Sequence, residues 1–311
     1  MDIKSILSNL SIEQKAALLQ GWTTWTTLDL NEKGIPPMFM SDGPVGLRKQ
    51  AGAGDHLGLN ASVPATCFPT ASGMANTWNV ELGEALGRAL GEEAAANDVH
   101  VVLGPGLNIK RSPLCGRNFE YFSEDPVLSG KIAAAYVRGI QKNGTSACPK
   151  HYACNNQEYN RCKNDSRLSE RALREIYLRG FEICVKEGKP QNIMTSYNKI
   201  NGVWGHYNYE LCTTVLRKEW GYTGNVMTDW WMQDSNSPEF PALKNQAYRV
   251  RAQVDVLMPG GASRLPLRIS DGTLLKTYGK EDGITLGEMQ RSAMNVLRFA
   301  MNSPAMDRLN K

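Results

Sequence analysis

The sequence predicts an α/β protein, a (β/α)8 TIM-like barrel forming a single domain over residues 1–311, and three observations carry that expectation. Segments with helical spacing of apolar residues alternate with short apolar runs, the order that builds a parallel sheet. The 311 residues, 41% of them hydrophobic, suit the single-domain version of such a sheet. Charged and aromatic residues gather just after the apolar runs, where the C-terminal strand ends of a barrel meet on one rim. A doubly wound open sheet is the competing arrangement. No G-x-G-x-x-G turn follows the first strand, however, so a dinucleotide site would lack its usual phosphate cradle.

Ser11 and Gln14 make a capping box ahead of Ala16, Leu18 and Leu19, and Gly21 is expected to stop that helix. The run 37–40 (PMFM) then reads as a buried strand breaking into the turn Ser41-Asp42-Gly43-Pro44. Leu82, Leu86, Ala89 and Leu90 recur at helical spacing within 81–97, before the strand 100–103 (HVVL) and its Gly104-Pro105-Gly106 turn. Ser169 caps a helix whose Leu173, Ile176, Tyr177, Phe181 and Cys184 share a face, and 192–196 (NIMTS) follows as a strand. Asn208 opens a helix through Leu211, Val215 and Leu216 that ends at Gly221; the strand 225–228 (NVMT) then runs into Asp229-Trp230-Trp231. The last strand is 255–258 (DVLM), closed by Pro259-Gly260-Gly261.

With 35 Lys and Arg against 31 Asp and Glu, interleaved along the chain, the net charge of +4 forms no basic face for nucleic acid. Residues 1–20 hold no signal-like apolar stretch, and no run of about 18 apolar residues exists to span a bilayer. A cytoplasmic location with no membrane partner is expected. Seven cysteines without a C-x-x-C pair suit reduced thiols. The four histidines, His56, His100, His151 and His206, form no H-x-H or H-E-x-x-H pattern, so neither a metal nor a cofactor is expected.

A barrel would bring Asp42, Lys150, His151, Tyr197, Asp229 and Trp230 to one rim, although each alone also reads as a cap or turn residue. The segments 41–48 (SDGPVGLR), 111–120 (RSPLCGRNFE), 150–152 (KHY), 194–202 (MTSYNKING) and 219–230 (EWGYTGNVMTDW) resemble, in order, the signatures of glycoside hydrolase family 3. The resemblance implies a retaining glycosidase acting on a β-linked sugar, β-glucoside first. By that likeness Asp229 is the nucleophile, kept ionised by neighbouring cations, and Trp230 lines the sugar subsite. It makes Asp42 the acceptor of two sugar hydroxyls, with Arg111, Lys150 and His151 donating to the others and Met194 and Tyr197 forming the wall. Glu158, Arg161 and a buried Arg117 and Glu120 pair are implied as structural support.

The acid/base is the gap. Two-domain members of that family carry it as a glutamate on a second α/β sandwich domain, which 311 residues do not accommodate. N-acetylglucosaminidase-type members use an Asp and His dyad in a loop near K-H-F-P-G-x-G, whereas 150–158 here reads KHYACNNQE. Three readings follow: a partner domain or chain supplies the acid, Glu158 or Asp165 does, or turnover is lost. The competing functions are a carbohydrate-binding barrel without turnover and a phosphate-binding barrel enzyme using Pro259-Gly260-Gly261.

Overall fold

The structure, a computed structural model, describes residues 2–52, 54, 59–232, 246–260 and 273–308; His56 and Gly261 lie outside them. Its strands are β1 (Met40–Ser41), β2 (Val101–Val102), β3 (Ser146–Ala147), β4 (Asp165–Ser166), β5 (Asn192–Met194), β6 (Lys199–Ile200), β7 (Val203–Trp204) and β8 (Asn225–Met227). β1, β2 and β3 pair in parallel in that order, β5 pairs in parallel with β8, and β4-β6-β7 form a separate small sheet. The α/β class is therefore as expected. A closed eight-stranded barrel is not shown: among the described residues the strands form sheets of three, three and two, and none closes on itself.

Short strands are the physical reason. Pro105 and Pro149 follow β2 and β3 within three residues and have no N–H to extend a ladder. Pairing continues instead through isolated parallel bridges: Gly106 to Lys150, Tyr152 to Thr195, Met227 to Val256 and Gln20 to Leu257. The expected strand at 255–258 exists only as the last two of these bridges.

The expected capping box is present: Gln14 N donates to Ser11 Oγ at 3.2 Å and Ser11 N to Gln14 Oε1 at 3.0 Å, opening the helix Ile12–Leu18. Gly21 serves a different purpose from the helix stop expected of it. A Cβ there would lie 2.6 Å from the Gly260 nitrogen, so the residue permits two backbones to touch.

Helix Val80–Ala96 corrects the apolar stripe read from the sequence. Leu82 is exposed and Leu86 and Ala89 are half-buried, while Gly83, Gly87, Leu90, Gly91 and Ala94 face inward. The partner helix, Pro126–Gln141, comes so close that a Cβ on Gly87 would sit 2.3 Å from the Tyr136 carbonyl oxygen and one on Gly139 2.2 Å from that of Glu84. Glycines at i, i+4 and i+8 thus build a groove that a hydrophobicity pattern does not register.

Ser169 caps its helix as expected, accepting from Ala172 N, but π turns at Leu173–Tyr177 and Cys184–Gly188 interrupt it. Each π turn shifts the helical phase, which is why Ile176 points to solvent while Leu173, Phe181 and Cys184 are buried. Asn208 accepts from Leu211 N ahead of the π-helical segment Glu210–Glu219, and Gly221, at φ 71°, follows in the left-handed region. The helix Leu286–Met301 packs against β8, and the segments that follow the strands build the site.

Candidate active site

A cavity of about 280 Å³ opens where β1, β3, β5 and β8 end. Asp42 follows β1 directly, Lys150 comes three residues after β3, Tyr197 three after β5 and Asp229 two after β8. A larger cavity of about 720 Å³ lies at the other end of β8, around Trp220, Asn225 and Arg298. Among the described residues no carboxylate lines it, whereas Asp42, Glu120 and Asp229 line the smaller cavity, which is the candidate site.

One wall is a chain of alternating charges. Lys150 Nζ lies 3.0 Å from Asp42 Oδ1 and 3.5 Å from Glu120 Oε2, Arg48 Nη2 is 3.5 Å from Asp42 Oδ2, and Arg117 Nε pairs with Glu120. Burial would push Asp42 up, but the Lys150 ammonium, by its charge and its hydrogen bond, and then Arg48 and Arg117, bring it down to about 2. Glu120 is likewise lowered against its burial by Lys150 and Arg117. Lys150, opposed by burial and held by Asp42 and Glu120, is raised. All three stay charged, so the wall offers fixed donors and acceptors to a polyol.

The opposite side carries Asp229. Its Oδ1 accepts from Trp230 N at 2.7 Å, whereas Oδ2 is buried without a hydrogen-bond partner. Burial raises this carboxyl above its ordinary value, and Arg117, the Trp230 N–H, Arg161 and Lys150 only partly oppose it. The cations expected to favour the ionised form, Arg117, Arg161 and Lys150, are in place, but burial outweighs them and leaves the carboxyl raised. His151 Nε2 stands 3.5 Å from Oδ2, and burial followed by Arg117, Lys150 and Arg161 keeps that imidazole neutral.

Tyr197 donates its hydroxyl to the Trp230 carbonyl, and Arg161 stacks 4.6 Å over its ring. Burial, and next the Asp229 charge, push the Tyr197 phenol well up. Trp230 donates its indole N–H to the Thr24 carbonyl at 2.7 Å and meets Trp25 with ring centroids 5.5 Å apart, which gives the cavity an apolar face. Met194 completes the lining there.

Of the residues expected at the site, Asp42, Lys150, His151, Met194, Tyr197, Asp229 and Trp230 all line this cavity. Arg111 does not; it is exposed and absent from the lining, and Arg117 occupies the cavity instead. Arg117, Glu120 and Arg161, read from the sequence as structural support, also line it, as do Trp25, Arg48, Leu103, Phe119 and Trp231, to which the sequence reading gave no site role. The signal for Arg117 was in the sequence, since it and Glu120 fall in the same motif as Arg111. Only folding decides which arginine turns inward. Neither internal candidate for the missing acid lines the cavity: Glu158 binds Arg161 at 3.1 Å and Asn155 at 3.1 Å, and Asp165 binds Arg167 at 2.6 Å and the Gly202 N–H at 2.9 Å. Among the described residues no cluster of three His, Cys, Asp or Glu could hold a metal ion, and no helix is long and apolar enough to cross a membrane.

An α/β protein with a carboxylate-lined, aromatic-walled cavity beyond its strand ends is the class these features define. The description "Glycosyl hydrolase family 3 N terminal domain" matches residues 29–273, and the chain belongs to glycoside hydrolase family 3. It is 51% identical over 230 residues to a thermostable beta-glucosidase B of Acetivibrio thermocellus, a match covering 74% of this chain and 30% of that protein. An exo-alpha-(1->6)-L-arabinopyranosidase of Bifidobacterium longum is 50% identical over 225 residues, 72% of this chain and 30% of its own length. Among solved structures, beta-glucosidase 3B from Thermotoga neapolitana in complex with glycerol superposes with a TM-score of 0.88 at 39% identity, covering 98% of this chain and 43% of that one. The chain thus spans well under half the length of these relatives.

Proposed function

We propose that this chain is the nucleophile-bearing, sugar-binding part of a retaining β-glycosidase whose leading substrate is a β-glucoside. The observation that carries the proposal is the Asp229 carboxylate, which belongs to the cavity lining and has one oxygen pinned by the Trp230 N–H and the other buried without a hydrogen-bond partner. In this reading Oδ2 attacks the anomeric carbon as the glycosidic C–O bond breaks, and the leaving oxygen takes a proton from a general acid. Water, giving its proton to the same acid/base, then displaces Asp229 and releases the sugar. Asp42 accepts from two sugar hydroxyls while Lys150, His151 and Arg117 donate, and Trp230 and Trp25 take the apolar ring face. Arg117 replaces Arg111 in this assignment. A cavity of about 280 Å³ suits one sugar ring, at the small end of the roughly 300–1,000 Å³ usual for ligand pockets.

The acid/base comes, in this reading, from a second α/β sandwich domain or chain. Two facts support it: neither Glu158, held by Arg161, nor Asp165, paired with Arg167, lines the cavity, and the relatives are more than twice as long as this chain. A β-xyloside or another β-linked sugar is the second reading of the glycone; the relative named as an alpha-L-arabinopyranosidase supports only that glycones other than glucose occur among the relatives. We also take the β1-β2-β3 and β5-β8 sheets, with the segments around Gln20 and around residues 256–257, as parts of one distorted (β/α)8 barrel, supported by the parallel bridges Tyr152 to Thr195, Met227 to Val256 and Gln20 to Leu257.

Single-turnover hydrolysis of a dinitrophenyl β-glucoside, with and without azide, tests the chemistry. A phenol burst that Asp229→Ala abolishes and whose later turnover azide accelerates is the expected result. If the chain binds the glucoside but shows no burst, it is a carbohydrate-binding barrel and the nucleophile assignment falls.

A further inference from the structure

We propose that Tyr121 is a positioning residue for Asp229: its hydroxyl donates to Nδ1 of His151, which puts the single imidazole proton on Nε2 and aims it at the unpartnered carboxylate oxygen. The importance of that proton rests on Asp229 being the nucleophile; the tautomer itself does not.

The geometry runs through four side chains. Asn155 Nδ2 lies 3.3 Å from the Tyr121 hydroxyl oxygen, and an amide NH2 only donates. The hydroxyl therefore accepts from Asn155 and directs its own proton to its other neighbour, His151 Nδ1, at 3.1 Å. A neutral imidazole carries one proton, so an Nδ1 that accepts leaves an N–H at Nε2, 3.5 Å from Asp229 Oδ2. The ring cannot rotate to a different partner cheaply. Asn108 holds the His151 backbone at both ends, accepting from its N–H at 2.9 Å and donating to its carbonyl at 2.9 Å. Tyr121 also meets the imidazole edge-on, at an interplanar angle of 86°. The other tautomer would turn a nitrogen lone pair toward a carboxylate that burial already disfavours.

At 3.5 Å the Nε2–H contact is longer than a formed hydrogen bond, so it biases Oδ2 without occupying it. Oδ2 keeps its lone pair for the anomeric carbon. Arg117, Arg161, Lys150, Tyr197 and Cys148 also act on Asp229, and none of them depends on Tyr121 for a proton position.

Long-range proton–nitrogen correlation NMR on the 15N-labelled chain reads the tautomer directly, with His151→Gln identifying the resonances. The wild-type chain is expected to show a neutral His151 protonated at Nε2, and Tyr121→Phe a mixture of both tautomers. A proton on Nδ1 in the wild-type chain overturns the proposal without any variant, and so does an unchanged tautomer in Tyr121→Phe. In hydrolysis of the dinitrophenyl glucoside, Tyr121→Phe should move the acid limb of kcat upward by about 0.4 to 1 pH unit, the equivalent of one hydrogen bond, with KM little changed. An acid limb that stays in place also overturns it. A chain that shows the Nε2 tautomer yet never releases phenol upholds the positioning geometry and instead refutes the nucleophile assignment.

Discussion

Lys150→Met tests the charged wall of the cavity through stability rather than turnover. The ammonium is 4% exposed and serves two carboxylates, Asp42 at 3.0 Å and Glu120 at 3.5 Å. Removing one partner of a buried ion pair costs about 3–5 kcal/mol, and the lower end applies here because Asp42 is 33% open to solvent. The lowering of Asp42 from its ordinary 3.8 to about 2 corresponds to about 2 kcal/mol, reduced further by solvent screening. Both carboxyls are depressed in the folded chain, so their contribution is present above the unfolded value near 4 and is lost as pH falls toward 2. Urea unfolding followed by tryptophan fluorescence should therefore show a deficit of about 3 kcal/mol in the variant at pH 7, shrinking at about pH 3.5. Adding Asp42→Asn to Lys150→Met should recover part of the loss. A deficit of equal size at both pH values, or one under about 1 kcal/mol, would refute the reasoning, because the network would then not be held by charge.

Asp229 titrates with the opposite sign. Its folded carboxyl is raised, so it favours folding while protonated below its unfolded value near 4 and opposes folding as pH rises through the raised value. Asp229→Asn should accordingly melt above the wild-type chain at pH 7 and together with it near pH 3; a variant less stable at pH 7 would contradict the burial argument. Arg111→Met, at an exposed position, should change stability by less than about 0.5 kcal/mol and leave glucose affinity alone, whereas Arg117→Met should weaken both. Calorimetric titration with glucose separates these, and equal effects would return Arg111 to the site. Gly87→Ala, whose Cβ would meet a carbonyl at 2.3 Å, should lose about 1–3 kcal/mol from overpacking despite a gain of up to ~1 kcal/mol in helix propensity. Gly287→Ala, in an exposed helical turn with nothing within 4 Å, should gain roughly 0.5–1 kcal/mol; equal melting temperatures for the two would undo the close-packed groove.

Local chemistry was legible from residues close in sequence. The Ser11 capping box, the Ser169 cap and the left-handed Gly221 all came out as expected, because each depends on a side chain or a φ angle within a few residues. The candidate cavity was largely legible too, since six of its residues follow short apolar runs, Met194 ends one, and the strands carry all seven to one place. The failures have a common cause. The glycine groove of Val80–Ala96 carries no hydrophobic signal, the π turns shift a phase that was counted at 3.6, and the helix Pro126–Gln141 that fills the groove went unrecognised. Each depends on what lies across the interface.

By itself, then, the sequence determined the family, the alternation of helix and strand, and the residue types that reach the strand ends. Those properties are written in short motifs and local periodicity. Tertiary structure alone decided that Arg117 rather than Arg111 turns inward, that short strands pair onward through single bridges, and that burial outweighs the nearby cations in raising Asp229. Burial and long-range contact set each of these outcomes, and both arise only when segments far apart in the chain exclude water from one another.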